Sequence, residues 1–252
     1  MKIIRSFLAA ISTYSRIPVP PFKLEEESDL ILIFFPIVGI VIGAVELIWR
    51  IFCKAFPVGD IAYIIVSTVI PLLVTGGIHM DGYMDTSDAL SSFGDRDKKL
   101  KILSDPVVGA FAVIRAIVLI LLFLAGISGI KNNNSFYIFC LVFVLARVLS
   151  ALSSFLFPIA KKTGMLYTLT RSKKRSVIAC VLIIEAAAVV IIMFIITPAS
   201  VFVVLSALLC LLYYYFRSKA AFGGVTGDTA GWFLCLCELL MTLVTAFLDI
   251  VS

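Results

Sequence analysis

Residues 107–130 read VVGAFAVIRAIVLILLFLAGISGI, with Arg115 as the one charge in the run. A helix rising 1.5 Å per residue crosses about 30 Å of hydrocarbon with about 20 such residues. Scanning outward with a window of that length gives further spans near 30–52, 60–78, 135–158, 177–197, 199–217 and 229–250. Of the 252 residues, 62% are apolar and 15% charged, and mean hydropathy is +1.13. That excludes an ordinary water-soluble globule. The sequence therefore predicts an all-α, polytopic membrane bundle over residues 1–252, with about seven transmembrane helices in one domain.

Ahead of the first span, Ile3, Ile4, Phe7, Leu8 and Ile11 recur at helical spacing, so residues 2–14 should form an amphipathic helix at the membrane surface. No cleavage pattern follows it before Pro18, so this segment is expected to be retained. Sixteen of the 21 Lys and Arg residues fall on alternate loops of one side. The positive-inside rule then puts the N-terminus and those loops in the cytoplasm of a prokaryote, with the bilayer as the first partner. The net charge of +5 is on this reading a topology signal and gives no reason to expect a nucleic acid polymer as partner. The six cysteines lie in or beside apolar runs without zinc-type pairing and read as small buried apolar side chains.

A polar segment, 76–106, separates the second and third spans. It opens Gly76-Gly77-Ile78-His79-Met80-Asp81-Gly82-Tyr83-Met84-Asp85-Thr86-Ser87-Asp88. Asp81, Asp85 and Asp88 stand at i, i+4 and i+7, which stacks three carboxylates on one helical face. Like charges so placed repel unless a divalent cation sits among them, and Mg2+ favours a few carboxylates completed by substrate phosphate. A solvated acidic face is the plainer reading of any such trio. Continuity with an apolar span, and the chain's one histidine beside it, favour the metal. His79 reads as a general base, a phosphate contact or a hydrogen-bonded boundary residue.

The second polar island is Gly223-Gly224-Val225-Thr226-Gly227-Asp228-Thr229, preceded by Lys219. Glycines there allow a tight loop whose amides face an anion at the start of a helix. It falls on the same side as the acidic segment, so Asp228 and Lys219 are expected to join it. Glu238 would lie roughly 15 Å deeper at helical rise, where a carboxylate must be protonated, paired or facing a polar cavity. Arg115 and Arg147 fall inside spans and need anionic or carbonyl partners; Glu46 and Glu185 are candidates, and substrate phosphate is another for Arg147.

Together these blocks resemble the cobalamin synthase, or adenosylcobinamide-GDP ribazoletransferase, family along nearly the whole chain. They run from Phe7 through Arg16, Pro18 and Pro20, then Phe35-Pro36 with Gly39 and Gly43, and the acidic block. Arg96-Asp97, Asp105 with Gly109, and Gly223 to Thr229 with Glu238 follow in the family's order. Two departures are Ala89, where some members have glycine, and Trp232, which replaces a small residue and would narrow the space beside Asp228. The resemblance implies transfer of the adenosylcobinamide phosphate moiety from adenosylcobinamide-GDP to a ribose hydroxyl of α-ribazole, or its 5′-phosphate, with release of GMP. It implies Mg2+ held by Asp81, Asp85 and Asp88, completed by Asp105 or Asp228. His79, Asp85 or Asp228 would serve the chemistry, and Arg16, Arg96, Arg147, Lys219, Gly224, Thr226 and Gly227 the substrates. A homo-oligomer and the membrane enzyme that makes adenosylcobinamide are candidate partners. CDP-dependent alcohol phosphotransferases and prenyltransferases use other aspartate spacings. A cation-coupled transporter would place its acids near mid-membrane on repeated, broken helices, and no repeat is evident here.

Overall fold

A computed structural model describes residues 2–20, 30–172 and 174–251. Lys23 and Lys173, counted in the orientation argument, lie outside the described residues. Eleven helices are found among those described, and no strand beyond an isolated bridge between Ile159 and Val225. Six are long and apolar enough to cross a membrane: α2 (Ile31–Ala55), α6 (Ala110–Ser128), α7 (Asn133–Leu156), α9 (Arg175–Ile196), α10 (Ser200–Phe222) and α11 (Gly227–Val251). A seventh candidate is α3 (Asp60–Thr75), which reaches that length and apolarity only together with the helix that follows it, across a sharp bend. These seven match the seven expected spans to within a few residues at each end.

Apolar side chains do not drive helices together inside lipid, so close backbone approach decides the packing. At the contact of α2 with α7, a Cβ on Gly39 would come to 2.5 Å from the Phe143 carbonyl oxygen. That register makes α7 the central pillar, with Phe136, Phe139, Phe143 and Phe155 fully enclosed. By contrast α9 shows most of its length outward, including Ile183, Ile184 and Ile195. Cys180 of α9 is exposed as well, which corrects the reading of all six cysteines as buried; all six are free thiols.

The amphipathic segment is α1 (Lys2–Tyr14), docked on α2. Ala9, Ala10 and Ile11 are buried while Ile3 and Ile4 are exposed. Its apolar residues thus divide between the bundle and the surroundings. Between α3 and the next helix the chain bends by 94°. Gly76 and Gly77 carry φ of +64° and +78°, a left-handed pair that side chains resist, and this pair ends α3 and starts α4 (Ile78–Ser91) at an angle to it. α4 therefore turns away from the line of α3 and packs between α6 and α11. Two short helices, α5 (Arg96–Ile102) and α8 (Met165–Thr170), complete the same end.

Candidate active site

The acidic face lies on α4, where it meets the first turn of α11. Gly82 makes this contact: a Cβ there would lie 2.8 Å from the Asp228 carbonyl oxygen. Gly231 does the same from α11, against the backbone of His79 at 3.0 Å. Side chains flanking these glycines are consequently brought face to face. The charges of Asp81, Asp228 and Asp88 all act on Asp85. Burial first, and then these neighbours, push the Asp85 carboxyl from the ordinary 3.8 up to about 6.

Asp228 is held by the loop before it. The Thr226 N–H donates to Thr229 Oγ1 at 2.8 Å and the Thr229 N–H to Thr226 Oγ1 at 3.2 Å, a reciprocal cap on α11. Tyr214 on α10 meets Thr229 Oγ1 at 3.3 Å. Thr226 also approaches Asp228 Oδ2 at 3.5 Å. The Val225 N–H donates to the Pro158 carbonyl at 2.8 Å, and the Ala160 N–H to that of Val225 at 2.9 Å, so the loop is tied to the end of α7. A side chain at Gly224 would strike Pro158. Arg96 clips the same corner, donating to the carbonyls of Phe222 at 2.8 Å and Ala160 at 3.1 Å.

Several expected residues thus have protein partners. Arg96 and Gly224 hold the loop in place. Arg16 donates its backbone N–H to Val74 and lays its side chain over Gly76. Lys219 reaches Tyr215 of its own helix at 3.2 Å. Asp105 accepts from the Val107 N–H at 3.0 Å, within its own turn. Asp88 receives the N–H groups of Gly109 and Ala112, the latter at 2.8 Å, and so caps the first turn of α6. Trp232 packs on Tyr213 and Tyr214 of α10.

Arg147 is fully buried and pairs with Glu238 at 2.7 Å, also donating to the Phe143 carbonyl at 2.8 Å. This corrects the pairing expected with Glu46 or Glu185. Both Glu46 oxygens, and one of Glu185, are buried without a hydrogen-bond partner. The two ends of the observed pair lie on α7 and α11, 91 residues apart. Replacing Glu238 by Ala should destabilise the fold by about 3–5 kcal/mol, because the Arg147 charge is left enclosed. Arg147→Met with Glu238→Leu together should recover most of that loss, read as thermal unfolding in detergent.

His79 is 9% exposed, with its ring 5.5 Å from Phe35 and 6.3 Å from Tyr14 between centroids, and Nε2 has no partner. Lys161, which sequence reasoning counted only for topology, is close enough for its charge to act on Asp228 and donates to Ser104 Oγ at 2.6 Å. Among the described residues no three His, Cys, Asp or Glu side chains already enclose an ion-sized space. The donor set nevertheless suits a hard divalent cation. Asp81, Asp85 and Asp228 offer carboxylate oxygens from two helices, and their mutual repulsion is relieved by positive charge.

Bundle and site together define a polytopic helical membrane protein with a carboxylate centre at one end. The chain belongs to the cobalamin-5-phosphate synthase family, whose sequence model matches residues 6–246. A relative from Lachnoclostridium phytofermentans, named adenosylcobinamide-GDP ribazoletransferase, is 39% identical over 251 residues, covering 99% of this chain and 96% of its own. One of the same name from Clostridium tetani is 32% identical over 190 residues, covering 72% and 73%. No solved structure matches.

Proposed function

We propose that the protein transfers the adenosylcobinamide phosphate moiety from adenosylcobinamide-GDP to a ribose hydroxyl of α-ribazole or its 5′-phosphate, releasing GMP. Kinship along the whole chain supports this, and the observation that carries the chemistry is the meeting of α4 and α11 at Gly82, which sets Asp81 and Asp85 against Asp228. The hydroxyl oxygen bonds to the phosphorus that carries the cobinamide, the bond from that phosphorus to the bridging oxygen breaks, and GMP departs with the electron pair. Such a transfer asks the protein for alignment and charge neutralisation more than for covalent chemistry.

Asp81 and Asp228 would hold Mg2+, which when bound neutralises the diphosphate. Asp85, whose proton affinity burial and then the neighbouring acids lift toward neutrality, takes the hydroxyl proton. Lys161, beside Asp228, supplies positive charge for the leaving GMP phosphate. Asp88 keeps α4 aligned by capping α6. The Lys and Arg distribution supports a cytoplasmic N-terminus and a cytoplasmic site. The membrane enzyme that makes adenosylcobinamide fits as a neighbour, and co-purification in mild detergent tests that.

The function is tested by GMP release from adenosylcobinamide-GDP by purified protein. Release should require both α-ribazole and Mg2+, stop with chelator and resume on adding Mg2+. Release without acceptor would indicate hydrolysis, and none from folded protein would end the transferase reading.

A further inference from the structure

Beside the carboxylates, a cavity of about 190 Å³ opens between α1, α2, α4, α7, α8 and α11. Asp81 and Asp228 line it, and Asp81 is exposed, so these acids mark its open edge. In the remaining wall Tyr14, Phe35 and His79 present rings and Leu32 and Leu166 close the sides, with Thr13, Ser150 and Ser154 also in the lining. Tyr14 and Phe35 sit 4.3 Å apart between centroids and both neighbour His79.

We propose that this cavity seats the flat base of the acceptor nucleoside, the benzimidazole ring system of α-ribazole; the inference rests on the transferase reading above. An apolar cavity of about 150 Å³ holds a benzene ring, so the space here suits a two-ring base and not a corrin macrocycle. Aromatic walls favour a planar guest through ring contacts. His79, buried in the wall with Nε2 unpartnered, offers unused hydrogen-bonding capacity, and such a buried polar atom is costly until something meets it.

Guanine, the other base the substrates carry, fits this wall poorly. Its edge bears several donors and acceptors, and although Thr13, Ser150 and Ser154 also line the cavity, Ser154 already donates to the Ser150 carbonyl, so part of that edge would lose water against Phe35, Leu32 and Leu166. A methyl-substituted benzimidazole has no exocyclic polar group and one free ring nitrogen. With the base seated inside, the attached ribose comes out at the open edge, where Asp81 and Asp228 stand. The cavity thereby aligns the attacking hydroxyl with the acids and separates acceptor from donor.

Leu166 lies on short α8 and is partly exposed, so filling the cavity from there spares the bundle. Leu166→Trp should raise the KM for α-ribazole at least tenfold while the KM for adenosylcobinamide-GDP moves less than twofold. Phe35→Leu should show a smaller shift in the same direction. Equilibrium dialysis of α-ribazole against the protein without donor should show the matching loss of affinity in Leu166→Trp. A rise in the donor KM instead would give the cavity to guanine and overturn the proposal. Unchanged KM and affinity in variants that still release GMP would overturn it and leave the transferase intact. A wild type that releases no GMP would remove both.

Discussion

Asp85→Asn should lower GMP release by about 10²–10⁴-fold, the usual worth of a positioned proton acceptor, and should at the same time make the protein harder to unfold at pH 8. Both effects have one cause. Burial and the charges of Asp81, Asp228 and Asp88 raise the Asp85 carboxyl to about 6 in the folded protein, against 3.8 ordinarily. The folded state therefore holds this proton more firmly than the unfolded chain does. The resulting contribution to stability is fully present below about pH 4 and is lost as pH rises through about 6. Above that, ionised Asp85 faces its neighbours in the native state at a cost that the amide removes. The gain in Tm from Asp85→Asn should thus be seen at pH 8 without divalent cation, shrink when Mg2+ is added, and vanish near pH 4. Wild-type activity, measured with Mg2+ present, should fall at a pH below 6, because the cation favours the ionised form of Asp85 and the acceptor becomes protonated only on further acidification. A variant that keeps its activity would move the proton to another group, with His79 the next candidate.

Gly82→Ala is expected to have the second large effect, although it adds a single methyl group. That carbon would lie 2.8 Å from the carbonyl oxygen of Asp228 and 3.0 Å from its Cα, both backbone atoms that no rotamer can move aside. Helices α4 and α11 must separate, and overpacking of this kind costs about 1–3 kcal/mol. The functional loss should be larger in proportion, because a displacement of about 1 Å in an aligned site costs around a hundredfold in rate. Thermal unfolding and GMP release measured on the same preparation should show a drop of a few degrees beside that loss. Gly59→Ala is the control: no heavy atom lies within 4 Å of the added carbon, so the penalty should stay within about 1 kcal/mol, with activity kept. Equal behaviour of the two variants would mean that the α4–α11 contact does not set the site.

Much of this architecture was written in hydropathy. Each crossing helix carries its own apolar run, which is why the seven spans could be placed from the sequence. The 94° bend was less legible, because Gly76-Gly77 permits many conformations and only packing against α6 and α11 selects this one. The i, i+4, i+7 spacing correctly put Asp81, Asp85 and Asp88 on one face, as a helix must. It could not show that Asp88 caps α6, since Gly109 and Ala112 come into reach only in three dimensions. Arg147 and Glu238 were each recognised as needing a partner, yet 91 residues of intervening chain hid the pair. Lys161 carried no local signal, because its place beside Asp228 follows from the bridge between Ile159 and Val225. Arg96 and Gly224 were noticed for their motif, and the structure shows them shaping the loop that presents Asp228.

On the proposed mechanism, carboxylates from two helices share one divalent cation with the donor diphosphate. The most direct test is electron paramagnetic resonance of Mn2+ bound to the purified protein with adenosylcobinamide-GDP present and no acceptor. Asp81→Asn on α4 and Asp228→Asn on α11 should each weaken Mn2+ binding at least tenfold, with Asp85→Asn affecting it less. Weakening by only one of the first two, or by neither, would contradict a site built across α4 and α11.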